Sequence, residues 1–102
     1  MAEMVAIRRG QTLLRLTMRF PNESLDDFAS AVMKIARPDG TAIERAAEID
    51  RELSEVYYQV TTSDLPLLVG VYAYLAVLTD GSGRIAKARH VGRFQVVEEF
   101  AT

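Results

Sequence analysis

Apolar and polar residues alternate with period two along most of the chain. From Thr12 to Phe20, Leu14, Leu16, Met18 and Phe20 alternate with Arg15, Thr17 and Arg19, the mark of a strand with one buried and one wet face. Glu55 to Thr61 repeats it, with Val56, Tyr58 and Val60 against Tyr57, Gln59 and Thr61. The longest apolar run begins at Leu65 and ends at Asp80-Gly81-Ser82-Gly83. It predicts the central strand, closed by a hairpin turn whose glycines supply positive φ. Met4 to Ile7 predicts an edge strand, with Gly10 as a bend or bulge. Arg84 to Val91 predicts a returning strand, Gly92 a bend, and Phe94 to Val97 the last strand. Pro21-Asn22 is a break, Thr62 to Pro66 a crossing loop, and Glu98 to Thr102 a frayed tail.

Two segments carry both periods. Ser24-Leu-Asp-Asp27 has the form of a helix start, and Leu25, Phe28, Ala29, Val32, Ile35 and Ala36 follow helical spacing. The rival is a short turn at Leu25 to Phe28 and then a strand with Ala31, Met33 and Ile35 inward, leading to a hairpin turn at Pro38-Asp39-Gly40. In Thr41 to Leu53 the composition suits a helix. Counting by twos, however, places Ile43, Ala47, Ile49 and Leu53 with Arg45 and Arg51, and the acids Glu44, Glu48, Asp50 and Glu52 opposite. The strand is adopted for both, the second as an acid-faced strand near an edge. The expected fold is all-β: an immunoglobulin-like antiparallel β-sandwich of about seven to nine strands. It forms one domain over 1–102 with its core at roughly 4–98.

The 102 residues are 49% hydrophobic and 25% charged, with a net charge of −2. That is ordinary globular composition, with no basic excess to neutralise phosphates, so nucleic acid is not an expected partner. Cysteine is absent, which excludes disulfides and thiolate chemistry. The first residues lack the order of a secretory signal. The run from Leu65 to Leu78 is shorter than the ~20 residues of a membrane helix, so no membrane partner is expected.

No catalytic constellation emerges. His90 is the single histidine and has no acidic neighbour in sequence. Glu44, Glu48, Asp50 and Glu52 lack the glycine turn of a calcium loop. Asp80-Gly-Ser-Gly lacks the Lys-Ser/Thr pair of a phosphate loop. Arg8, Arg9, Arg15 and Arg19 form at most a local basic strip. A non-catalytic protein without cofactor or metal is expected.

Gly70-Val71-Tyr72-Ala73-Tyr74 has the form of a tyrosine corner, so Gly70, Tyr72 and Tyr74 are structural candidates. If Tyr72, Tyr74, Ala76 and Leu78 face the core, Val71, Ala73, Leu75 and Val77 face outward. Four apolar residues on an outer face mark a candidate interface, to which the small residues Ala86 and Ala88 are added.

Ile7-Arg-Arg-Gly-Gln-Thr12, Arg37-Pro-Asp-Gly-Thr41, Thr62-Ser-Asp-Leu65, Gly70 to Tyr74, Asp80 to Arg84 and Gly92-Arg-Phe-Gln-Val96 occur in an order that resembles the immunoglobulin-like N-terminal domain of phage baseplate upper proteins and related phage and prophage tail proteins. The resemblance spans roughly Ile7 to Val97; a glycine-containing hairpin before Glu55 is missing. It implies a virion structural module of tail or baseplate, made in the host bacterial cytoplasm, whose partners are other virion proteins and possibly itself. The alternatives are a capsid-decorating or a host-surface or carbohydrate-binding module.

Overall fold

The computed structural model describes residues 5–9, 14–20, 25–26, 28–61, 69–88 and 90–98. Eight strands account for its regular structure: β1 (Val5–Arg8), β2 (Arg15–Arg19), β3 (Phe28–Ala36), β4 (Ala42–Asp50), β5 (Glu55–Gln59), β6 (Gly70–Asp80), β7 (Ile85–Lys87) and β8 (Gly92–Val97). No helix occurs among the described residues. The all-β class and the strand number agree with the sequence; the expected immunoglobulin-like sandwich of two sheets is not what the described residues form. The strands run β1-β8-β6-β3-β4-β5-β2, with β7 also on β6, in one mixed sheet curled into a half-barrel. One feature departs from a wholly antiparallel arrangement: β1 lies parallel to β8.

The curl comes from β4, which pairs with β3 through Ala42 to Ala47 and with β5 through Glu48 to Asp50. A long strand shared between two partners turns the sheet back over itself, so the inner faces of the two wings meet. The strand adopted for both ambiguous segments is observed. In β3, Ala31, Met33 and Ile35 are buried, with Leu25 and Asp26 in the turn before it. In β4, Ile43, Ala47 and Ile49 pack on the core, while Glu44, Ala46 and Glu48 are exposed. One detail agrees in part and one is corrected. β4 is interior to the strand order, yet each of its halves pairs with one strand only. It ends at Asp50, so Leu53 lies in the following turn and is exposed. That turn needs no glycine because Ser54 itself takes φ 52° and Asp50 Oδ1 accepts the Leu53 N–H at 3.2 Å.

Both predicted hairpins form, by the same device. Arg37 C=O accepts the Gly40 N–H at 3.1 Å and Arg37 N–H donates to Thr41 C=O at 2.8 Å. Asp80 C=O accepts the Gly83 N–H at 3.2 Å and Asp80 N–H donates to Arg84 C=O at 3.0 Å. Gly40 and Gly83 hold φ of 89° and 86°, the left-handed residue that closes a three-residue hairpin loop.

The segment after the second hairpin differs from expectation. Among the described residues Arg84 to Val91 contains only the three-residue β7, and Gly92 begins β8 instead of bending the chain. Gly92 pairs with Tyr74, and a Cβ there would lie 2.2 Å from the Tyr74 Cζ. Glycine is required because the tyrosine ring lies across its strand. The edge strand at Met4 to Ile7 is observed as β1, at one end of the order. The expectations for Gly10, Pro21-Asn22, Thr62 to Pro66, the start of the apolar run at Leu65 to Leu68, and the tail beyond Glu98 lie outside the described residues.

Candidate functional site

β6 pairs with β3, β7 and β8, so it is the central strand, and its two faces have different surroundings. On the inner face Tyr72, Ala76 and Leu78 are fully buried. Tyr72 stacks on Phe94 with ring centroids 4.9 Å apart and planes 10° apart, and Tyr74 lies tilted 6.1 Å from Phe94. Burial pushes both phenols above their ordinary pKa; at Tyr72, Arg37 opposes the shift and Asp39 adds to it. Gly70, at φ 141°, brings this corner against the first hairpin: a Cβ on it would lie 2.9 Å from Pro38. Gly70, Tyr72 and Tyr74 are thus brought together with Phe94, Gly92 and Pro38 in one aromatic corner.

The outer face carries the candidate interface. Val71 is 44% exposed and Val77 only 9%, with Ala73 and Leu75 half-buried between them. Register adds neighbours that the sequence alone did not disclose. Ala73 stands beside Ala36 and Leu75 beside Lys34 on β3, and these in turn stand beside Ala42 and Glu44 on β4. A shallow groove of about 290 Å³ opens here, lined among others by Lys34, Ala36, Ala42, Ala73, Leu75 and Val91. Its lining atoms are apolar; the charges beside it are Lys34 and Glu44, with Nζ and Oε1 3.4 Å apart, and the exposed Arg93, which stands beside Ala73 on β8. The proposed contribution of Ala86 and Ala88 is corrected. Ala86 is paired with the inward Leu78, and both alanines pack on the core.

The other candidates are dispersed. His90 is exposed. Arg8 and Arg9 adjoin β8 while Arg15 and Arg19 lie on β2 at the other end of the order, so strand pairing makes no basic strip of them. Arg9 meets Glu98 at 3.0 Å and Arg19 meets Glu55 at 2.9 Å. Among the described residues no three of His, Cys, Asp and Glu gather as a metal could require.

The chain is similar in structure to CopC from Methylosinus trichosporium OB3b, with a TM-score of 0.60 and 16% identity over 99% of this chain and 90% of that one. That likeness shows the fold. No family model matches the chain, and no curated protein matches it. The expected phage or prophage virion role is corrected here: a solved structure that this chain matches along its length is CopC, which is not a tail, baseplate or capsid protein.

Proposed function

We propose that the chain is a non-catalytic binding domain that pairs with a second copy of itself through the outer face of β3, β4 and β6. The observation that carries this reading is the apolar groove over Ala36, Ala42, Ala73 and Leu75, on a sheet face that an antiparallel protein ordinarily wets. The charges on this face favour a second copy as the occupant. Lys34 and Glu44 stand side by side on it, and a two-fold contact presents the same patch from both sides; with its axis running between the two residues, each lysine meets the other copy's glutamate. At 45% and 62% side-chain exposure, the pair contributes little within one copy and is free to exchange partners.

Size-exclusion chromatography with light scattering across a concentration series tests the reading. The wild type gives a dimer. Val71→Glu with Leu75→Glu gives a monomer of unchanged circular dichroism. Lys34→Glu and Glu44→Lys each weaken the dimer singly, and the charge-swapped double variant restores it. A wild type that stays monomeric at every concentration overturns the reading, as does a dimer indifferent to the two glutamates.

The fold likeness favours metal handling as a second reading, but the donor set does not fit it. The sequence has no cysteine and one histidine, and that histidine is exposed. Met33 is fully buried, and Met18 Sδ already accepts the Ala76 N–H at 3.2 Å. The described residues therefore do not build a metal centre.

A further inference from the structure

Among the described residues β2 pairs with β5 alone, and its other edge is the second place where the fold offers itself to a partner. Leu14 C=O accepts the Val60 N–H at 3.0 Å, and Phe20 N–H donates to Ser54 C=O at 2.8 Å, so the even-numbered residues of this strand aim their main-chain groups at β5. In an antiparallel ladder the direction alternates residue by residue. The N–H and C=O groups of Arg15, Thr17 and Arg19 therefore point away from the sheet, and all three residues are exposed. Among the described residues that is an unpaired ladder three residues long, the template on which strand addition works.

The side chains decide what can pair there. The Arg15 guanidinium lies 3.9 Å from the centroid of the Tyr57 ring, and Arg19 Nε donates to Glu55 Oε2 at 2.9 Å. Both cations are thus held on the outer surface beside the free edge, and each guanidinium carries five N–H donors, so Arg19 keeps donors beyond the one given to Glu55. Two copies of β2 paired antiparallel about Thr17 would set Arg15 opposite the other copy's Arg19, a like-charge pair that destabilises such a contact. Self-pairing is disfavoured at this edge, in contrast to the outer face of β6. On the other face of β2, Leu14 and Met18 are half-buried at the rim of the core and suit apolar neighbours.

We infer that the β2 edge binds an extended segment of another protein by strand addition, and that this segment alternates acidic residues, beside Arg15 and Arg19, with apolar ones beside Leu14 and Met18.

A nitrogen-15 NMR titration with two peptides tests this, one alternating glutamate with valine and one alternating lysine with valine. The glutamate peptide shifts the amides of Arg15, Thr17 and Arg19 and slows their hydrogen exchange; the lysine peptide does neither. Thr17→Pro removes the central edge donor at a position where proline is tolerated, because its nitrogen faces away from the ladder. The variant keeps the dispersed spectrum and loses roughly tenfold in affinity, the loss expected for about 1.4 kcal/mol of hydrogen bonding. Arg15→Glu with Arg19→Glu, both at exposed positions, reverses the preference to the lysine peptide and serves as the test should the proline variant not fold. The inference is overturned if the glutamate peptide leaves the three amides unmoved, if the proline variant binds as tightly as the wild type, or if charge reversal leaves the preference unchanged.

Discussion

The two faces of β6 are built from similar residues and have different surroundings. Inside stand Tyr72, Tyr74, Ala76 and Leu78; outside stand Val71, Ala73, Leu75 and Val77. The inner row is covered by the curled sheet, with Phe94 stacked on Tyr72 and Met18 of β2 reaching the Ala76 amide. The outer row grades from the exposed Val71 to the nearly covered Val77. Hydrophobicity alone therefore does not mark a core. What closes the inner face is β2, which crosses over it.

The largest contrast is expected at Tyr72. It is fully buried, and its ring stacks flat on Phe94. Tyr72→Ala removes both the buried area and the stacked contact, and is expected to cost about 3–5 kcal/mol, a large share of the ~5–15 kcal/mol of a typical domain. Urea unfolding followed by circular dichroism measures it. The two glutamates at Val71 and Leu75 on the outer face are expected to stay within about 1 kcal/mol of wild type. Equal losses on both faces would show that the outer row is as closed as the inner one.

Gly92 sharpens the comparison at the rim of the inner face. A Cβ there would meet the Tyr74 ring at 2.2 Å from Cζ and 2.5 Å from Cε2, so Gly92→Ala must displace the ring that neighbours Phe94. The expected cost is about 1–3 kcal/mol. In a double-mutant cycle with Tyr74→Ala most of that cost disappears, because the ring that the methyl collides with is gone. Additive losses would place the cost of Gly92→Ala in the backbone of β8.

These positions also show what a sequence can disclose. Strands were legible because alternation directly encodes which side meets the core, as with Leu16 on β2 and Phe20 just after it, or Met33 and Ile35 on β3. Val71, Ala73 and Leu75 were legible as an outer row for the same reason. Ala36 and Ala42, the other walls of the groove, were not. An exposed alanine carries no signal until the pairings Ala36 with Ala73 and Ala36 with Ala42 place them together. Ala86 and Ala88 share the inward parity of Phe94 and Val96 and fell on the wrong side because alanines, small on either face, do not show which face they occupy. The parallel β1–β8 pair was illegible because its partners are joined by nearly the whole chain. Gly92 looked like a bend because a glycine opposite an aromatic ring and a glycine in a turn read alike in sequence.

The smallest expected effect lies at the end of the inner face, where Asp80 and Asp39 occupy equivalent hairpins in unlike surroundings. Asp80 is 8% exposed. Its Oδ1 accepts the Ser82 and Arg84 N–H groups at 2.9 and 2.8 Å, and its Oδ2 accepts Arg84 Nε at 2.6 Å. Burial there pushes the carboxyl pKa up, but the bonds from Arg84 and Ser82 outweigh it, and the net shift is downward. Asp39 is exposed and is lowered by Thr41, whose hydroxyl and N–H donate to Oδ1 at 2.6 and 3.0 Å. A carboxylate whose folded pKa lies below its unfolded value of about 3.9 contributes stability that is fully present above that value and is lost as pH falls through the folded pKa. Both hairpins therefore weaken in acid, below about pH 4. Asp80→Asn is expected to lower stability at neutral pH and to flatten the acid limb of a thermal-melting profile between neutral and strongly acid pH. Asp39→Asn is expected to flatten it less, because Thr41 and water share an exposed site. The prediction turns on the difference between the two variants: if they flatten the acid limb equally, the main-chain donors and Arg84 gathered around Asp80 contribute no more than the exposed turn does. The closed end of the inner face would then be held by packing alone.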